Sequence, residues 1–476
     1  MSLANTLKRA FQLRRVLAVV AGIFGAMAIM SIAGAQEEDP VADLTAAIDT
    51  AWLLIAAFLV FFMQAGFAMV EAGFVRAKNT TNILMKNVLD ACVGGLVFWA
   101  VGWGFAFGVS GDESTGFIGD GNFFLNEFED YASWIFQFAF AATAATIVSG
   151  AMAERTKFEA YLIYTACISA FVYPIVVHWA WDGNGWLSAF TEDPIGTNGY
   201  IDFAGSGVVH MVGGFAGLMG AMMVGPRLGK YTDGRINAIP GHNIAIATLG
   251  MFILWFGWYG FNPGSTLALS GGFAALAAKV AVTTTLSAVA GGVTATIGSK
   301  IRTGNYDMGL TVNGILGGLV GITAPCAVVD PWAAVVIGVV AAVIVMAGVE
   351  ILDNLHVDDP VGAVSVHAFA GTWGVLSVGL FASEAGIAQA YVPSDQYGLF
   401  LGGGIEQLGV QALGAAAIAG WTILTSGIIF GIIRATVGLR VDEEEEHRGL
   451  DLGEHGVEAY HGLGSSGQTE FAGRGV

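Results

Sequence analysis

From residue 44 to residue 433 the chain alternates long apolar runs with short polar ones. Eleven runs, at residues 44–73, 83–109, 132–153, 158–181, 203–225, 242–262, 271–297, 308–326, 332–352, 361–382 and 408–433, match the length of an α-helix that crosses a bilayer. Such a helix needs about 20 residues for a hydrocarbon core about 30 Å thick. The pattern predicts an all-α polytopic membrane protein with eleven transmembrane helices. The positive-inside rule orients them. Arg76, Lys78 and Lys86, then Arg155 and Lys157, then Arg227, Lys230 and Arg235, then Lys300 and Arg302 mark four cytoplasmic loops. The alternate loops carry no Lys or Arg, and the turn at residues 353–359 is the one cytoplasmic turn that is acidic. The N-terminus is therefore expected outside the cell membrane and the C-terminus, with Arg434, Arg440 and Arg448, inside.

Two of the runs share a polar pattern. Asp-x-x-Gly-x-x-x-Val-His-x-x-x-Gly-x-x-Gly occurs as Asp202, Gly205, Val209, His210, Gly214, Gly217 and again as Asp359, Gly362, Val366, His367, Gly371, Gly374. A histidine at bilayer depth is costly, and by default it marks function. The fifth run enters from outside and the tenth from inside, so the two aspartates lie at opposite faces. Each histidine is eight residues deeper, about 12 Å along an α-helix, so both approach the midplane. That is an inverted-topology repeat of spans one to five against six to ten, with span eleven as a final long helix and the site at the repeat interface. The glycines four and seven residues after each histidine share its face and would let the two helices approach closely.

Composition agrees with the pattern. The chain of 476 residues is 55% hydrophobic and 12% charged, about half the charged fraction of a soluble protein. Its 69 glycines suit close helix packing in lipid. The formal charge is −19, and the acidic surplus crowds the loops at residues 111–131 and 182–202. It fits a salt-rich habitat and equally an ordinary acidic surface. The lack of a basic patch excludes a nucleic-acid partner. Cys92, Cys167 and Cys326 have no metal-ligand spacing and read as small buried hydrophobes. Lys279 is a cation inside the seventh run, expected to snorkel to an interface or to pair with a buried acid.

The ends of the chain are distinct. Lys8, Arg9, Arg14 and Arg15 precede apolar residues 16–32 and Ala33-Gly34-Ala35, the layout of a secretory signal cleaved before Gln36. An uncleaved first helix is the alternative. The expected organisation is a signal peptide at 1–35, a membrane domain at 36–438 and a cytoplasmic regulatory tail at 439–476.

Four segments closely resemble the ammonium transporter family (Amt/Mep/Rh), and within it the Amt branch. They are Gln64-Ala-Gly-Phe-Ala-Met-Val-Glu71-Ala-Gly-Phe74 followed by Lys78-Asn79-Thr80; Asp202-Phe-Ala-Gly-Ser-Gly-Val-Val-His210; His242-Asn243 through Gly257-Trp258-Tyr259-Gly260-Phe261-Asn262-Pro263-Gly264-Ser265; and Asp358-Asp359-Pro360 through His367. The likeness covers residues 43–460. It implies a homotrimer with one pore per subunit, ammonium and methylammonium as substrates, and no cofactor. It also implies that His210 and His367 are the paired pore histidines. By the same resemblance Trp181, Phe140 and Ser265 form an outer recruitment site, Phe140 and Phe261 are successive pore gates, and Asp202 supports the vestibule. The tail segment His447–Tyr460 resembles the family's ordered C-terminal segment, with Asp451, Glu454 and His455 expected to contact the basic loops at Arg155/Lys157 and Arg227/Lys230. The family also implies a PII-type nitrogen regulatory protein as a possible cytoplasmic partner. Departures are Gly362, where some relatives have an acid, Pro263, where alanine is frequent, and Lys279.

The chemistry is consistent with this resemblance. Aromatic faces attract a cation that is losing its water. A serine hydroxyl accepts a hydrogen bond from ammonium, which potassium cannot donate. Buried imidazoles stay neutral and can pass a proton while ammonia moves by. Net transfer of one positive charge is the expected outcome, with electroneutral passage as its alternative. The competing classes are a membrane metalloenzyme, which needs a third ligand near the histidines, an ammonium sensor, which would normally carry a fused signalling domain, and an Rh-like channel for neutral gas.

Overall fold

The computed structural model describes residues 40–110 and 115–460. The expected signal peptide lies outside the described residues. The chain forms two units, Met1–Thr50 and Ala51–Val476. The described part of the first is residues 40–50, the opening turns of the helix Pro40–Phe74, where Val41, Leu44 and Ile48 are exposed.

Among the described residues ten helices are long and apolar enough to cross a membrane: α1 (Pro40–Phe74), α2 (Ala77–Phe107), α3 (Tyr131–Ala151), α4 (Phe158–Trp181), α5 (Ser206–Val224), α6 (Ile244–Thr266), α7 (Phe273–Thr303), α9 (Pro331–Asn354), α10 (Val364–Phe381) and α11 (Glu406–Thr436). An eleventh, α8 (Met308–Thr323), is shorter. Together they match the eleven expected runs. The helix α8 ends at Thr323, two residues before Pro325, which has no backbone N–H to continue the helical ladder. One departure from an all-helical chain is the hairpin Tyr231–Thr232/Arg235–Ile236. Its Asp233-Gly234 turn has positive φ at both positions, and Asp-Gly is a strong hairpin signal.

The inverted repeat determines how α5 and α10 meet. Each begins with a π-helical turn, Ser206–Met211 and Val364–Phe369. The expected straight α-helical run from aspartate to histidine is therefore replaced by a loop and a wide turn. The first glycine of each copy explains the bend: Gly205 has φ 108° and Gly362 has φ 78°, a region closed to most L side chains. The aspartates hold the freed amides. Asp202 accepts from the N–H groups of Gly205, Gly207 and Val208 at 3.0, 2.8 and 2.9 Å. Asp359 accepts from Ala363 and Val364 at 3.0 and 2.8 Å. Burial raises both carboxyls to about 6, against the opposing pull of those amides. The glycines after the histidines then allow the crossing. A Cβ at Gly214 would lie 2.2 Å from the Ala368 nitrogen, and one at Gly371 would lie 2.8 Å from the Ser206 carbonyl. Each repeat thus lays its glycine on the other's π-turn.

Several side chains differ from expectation. Lys86 is not in a loop: it is buried on α2 and donates to the Thr156 carbonyl at 3.1 Å. Lys279, in the first two turns of α7, donates to the Ala327 carbonyl at 2.9 Å, and Asp330 is close enough to act on its charge. Of the three cysteines Cys326 is buried, Cys167 is half-buried and Cys92 is exposed on the outer face of α2. The buried reading therefore fails for Cys92.

The basic loops join in an ionic cluster. Glu154 pairs with Arg76 at 2.6 Å and Arg227 at 3.4 Å, and Arg227 pairs with Asp358 at 2.8 Å. Burial alone would raise the Asp358 carboxyl, but Arg227 and Arg155 outweigh it and hold it well below the usual carboxylate range. A carboxyl so depressed stabilises the fold above its unfolded pKa, and that contribution is lost as pH falls through the folded value.

The tail lies against this face of the same chain. Asp451 accepts from the backbone N–H groups of Thr81 and Asn82 at 3.0 and 2.9 Å. Glu454 accepts from the Phe158 N–H at 2.8 Å and from the Asn82 side chain. The His455 ring meets the Phe158 ring edge-on, with centroids 5.0 Å apart. Glu454 and His455 thus meet Phe158, beside the expected Arg155/Lys157 loop, whereas Asp451 binds the start of α2 and no hydrogen bond from the three to the Arg227/Lys230 loop is found among the described residues. The physical reason is that the first amides of a helix have no intrahelical acceptor and attract carboxylates. Further contacts are Lys78 Nζ to the Glu446 and His447 carbonyls, both at 2.6 Å, the Leu228 N–H to Glu446 at 2.7 Å, and His242 Nε2 with the Tyr460 hydroxyl at 2.8 Å.

Candidate functional site

The π-turns of α5 and α10 bring His210 and His367 together, with their Nδ1 atoms 3.1 Å apart. The rings are stacked, with centroids 5.1 Å apart and planes 28° apart. One Nδ1 must donate and the other accept. By the bonding rules of neutral imidazole, the donor ring then has a free lone pair at Nε2 and the acceptor ring carries its proton there. The pair can therefore take a proton at one end and release one at the other. Both rings are buried, and His210 Nε2 has no hydrogen-bond partner among the described residues.

Aromatic rings continue the column. His210 stacks on Phe261 at 5.4 Å and on Trp258 at 5.2 Å, and Phe140 stacks on Phe261 at 4.1 Å. On the other side Phe67 approaches His367 at 6.0 Å. Trp258 is held by its Nε1–H to Thr323 Oγ1 at 2.9 Å. Phe140 and Phe261, expected as successive gates, face each other as two adjacent rings.

A cavity of about 130 Å³ lies next to Phe140, lined by Phe107, Phe136, Gln137, Trp181 and Ser265 among others. It unites the three residues expected at the outer recruitment site. Trp181 is oriented by its Nε1–H to the Asp202 carbonyl at 2.8 Å, and its ring meets Phe140 edge-on at 6.0 Å. The Ser265 hydroxyl donates to the Phe261 carbonyl at 2.8 Å. With its hydrogen so committed, it can act toward the cavity only as an acceptor.

On the other side of the pair, His367 lines a small cavity of about 20 Å³ with Phe67, Glu71, Asn313 and Val361. Asn313 and Val361 also line a larger cavity of about 230 Å³ that includes Arg227, Lys230, Asp353 and Asp359. In space the site thus runs from an aromatic cavity, through paired phenyl rings and paired imidazoles, to a polar vestibule. Among the described residues no group of three His, Cys, Asp or Glu side chains could hold a metal.

The residues missed from the sequence are Trp258, Phe67 and Glu71. Trp258 had a signal: it precedes Phe261 by three residues, which puts both on one face of α6. Of the other histidines, His178 on α4 faces the Ala106 and Thr115 carbonyls at 3.0 and 2.6 Å and so ties a loop to two helices, and His242 faces the Val75 carbonyl at 2.8 Å and so joins two loops.

Cavities on both sides of a buried histidine pair, at the crossing of an inverted repeat, define a membrane transport protein. The family model for the Ammonium Transporter Family matches residues 51–460, and the chain belongs to that family. It is 48% identical over 427 residues to Archaeoglobus fulgidus ammonium transporter Amt2, covering 87% of this chain and 88% of that one. Ammonium transporter 3 of Dictyostelium discoideum is 40% identical over 416 residues, 87% of this chain and 94% of its own. Among solved structures, a sensor Amt protein is 39% identical with TM-score 0.77, covering 87% of this chain and 100% of that chain. Mep2 of Candida albicans is 28% identical with TM-score 0.75, covering 84% of this chain and 87% of its own. The Archaeoglobus and Dictyostelium relatives are named as transporters, not as enzymes.

Proposed function

We propose that this chain recruits ammonium at the cavity of Phe140, Trp181 and Ser265, removes one proton, and conducts ammonia past His210 and His367 while the proton moves separately along the pair. The observation that carries this reading is the 3.1 Å contact between the two Nδ1 atoms. Ammonium cannot cross an apolar constriction as an ion without losing its hydration, at a cost of many kcal/mol. At the entrance cation–π attraction offsets part of that loss, about 2 kcal/mol when the site is dry. The Ser265 lone pairs favour an ion that donates hydrogen bonds. Beyond Phe140 and Phe261 the neutral molecule is favoured. One nitrogen and one positive charge then cross together, by separate routes. Reconstituted vesicles should take up methylammonium and carry ammonium-driven current above empty vesicles, and an absence of both would contradict transport.

The same reading includes a homotrimer in the cell membrane, with the N-terminus outside and the tail cytoplasmic. Support for one cytoplasmic face comes from the tail itself, which bridges the basic loops at Lys78, Phe158 and Leu228. The tail is a regulatory segment, and a PII-type protein is its candidate partner on that face. Truncation before Glu443 frees the starts of α2 and α4 and should lower the transport rate severalfold at unchanged expression. Unchanged transport, with the segment rapidly proteolysed in the intact protein, would make it a passive extension. A second reading, ammonium sensing, is favoured by the likeness to a sensor Amt protein. Ammonium binding without flux in the same vesicles would select it.

A further inference from the structure

Glu71 is a carboxylate on α1, 2% exposed, in a chain segment where an ionisable group is costly. Its place is specific. It lines the small cavity that His367 also lines, one step from the vestibule that shares Asn313 and Val361. Two donors converge on its Oε2: Asn87 Nδ2 at 2.9 Å and Ser149 Oγ at 2.7 Å. Gly150 lies beside the other oxygen, where a Cβ would make an ordinary contact of 3.5 Å with Oε1 but would overlap the Val361 side chain. The carboxyl is thus held through Oε2 while the side chain lines the cavity.

A proton leaving the histidine pair toward the cytoplasm needs an acceptor. With Nδ1 turned to His210, His367 has Nε2 as its remaining exchange point. The cavity of about 20 Å³ is large enough for a water molecule to join imidazole and carboxyl. We propose that Glu71 is the proton acceptor on the cytoplasmic side of the pore, receiving the proton from His367 and releasing it to the vestibule. This rests on the transport reading above. In the first step an N–H bond at His367 breaks and an O–H bond at Glu71 forms. In the second, that O–H bond breaks and the proton passes to vestibule water, where ammonia recovers it as ammonium. The carboxylate is regenerated and no electrons are exchanged.

The ionisable groups around Glu71 are His367 on α10, Lys86 and Asp90 on α2, and Tyr161 on α4. Lys86 and Asp90 are close enough to act on its charge. Asp90 is held by the Tyr161 and Thr165 hydroxyls at 2.5 and 2.6 Å, and Lys86 by the Thr156 carbonyl. These three are bound within the helix bundle and do not line the small cavity. Glu71 is the carboxylate that does.

A purely structural anchor needs only an oxygen that accepts from Asn87 and Ser149, which glutamine supplies. A proton acceptor needs the carboxylate. Ammonium-driven current and methylammonium uptake should therefore be measured between pH 5 and pH 8 in vesicles with wild type, Glu71→Gln and Glu71→Asp. The expected result is about a tenfold or greater loss of current in Glu71→Gln, in the range of a lost acid–base group, with partial recovery in Glu71→Asp. Wild-type current in Glu71→Gln, or equal loss in both variants, would overturn the assignment. If Glu71→Gln does not assemble, Ser149→Ala decides. It removes one donor to the carboxylate, so the acid limb of the current should move to higher pH, and an unmoved limb would overturn the proposal. A wild type without current would instead defeat the transport reading itself.

Discussion

His210→Ala and His367→Ala should each lower ammonium-driven current by about a hundredfold or more, the scale of a lost proton-transfer group. Each variant should still assemble. Among the described residues the only hydrogen bond found for either ring is the one between them, so removing one strands only the Nδ1 of the other. The remaining loss is packing against Phe261, Trp258 or Phe67, about 2–5 kcal/mol for a large-to-small change in a core. An acidic replacement at His210 should behave differently. A carboxylate attracts a bare cation, so His210→Glu should keep some current and lose discrimination against potassium. Size-exclusion profiles together with currents in ammonium and in potassium check both statements. Full current in both alanine variants would remove the pair from the mechanism.

Asp202→Ala should have the largest effect on stability among the residues of the vestibule. It strands three buried N–H groups, those of Gly205, Gly207 and Val208. A buried donor left unpaired costs about 1–3 kcal/mol, so the total is on the order of several kcal/mol. The π-turn that places His210 would loosen with it, and so would Trp181, which bonds to the Asp202 carbonyl. Asp359→Ala strands two amides rather than three and should cost less. Thermal unfolding of the purified protein measures this order directly. An Asp202→Ala variant as heat-stable as wild type, or one less affected than Asp359→Ala, would contradict it.

What the sequence made legible follows from the cost of polar groups in lipid. Eleven apolar runs, and a histidine in each of two matched frames, stand out because nothing but function or a repeat would retain them there. The same spacing showed that Gly214 and Gly371 permit a close crossing, which depends only on helical periodicity. The backbone between aspartate and histidine was not legible as a π-turn. The deciding residues, Gly205 and Gly362, read alike whether they serve packing or a left-handed turn. Lys86 was misplaced because a bond to a backbone carbonyl leaves no mark in the sequence. The tail residues Asp451 and Glu454 were matched to basic loops, and the sequence did not show that the groups they bind are the helix-start amides of Thr81, Asn82 and Phe158. Glu71 was quoted only as part of a motif. Its closeness to His367 depends on how α1 meets α10, a contact between distant parts of the chain.

The most direct test is the number of charges moved per nitrogen in vesicles holding wild-type protein. Current and methylammonium uptake are measured on the same preparation under a substrate gradient, with empty vesicles subtracted. Separate passage of ammonia and its proton along the His210–His367 pair gives one positive charge for each nitrogen taken up. Sustained nitrogen uptake with no net charge would contradict it.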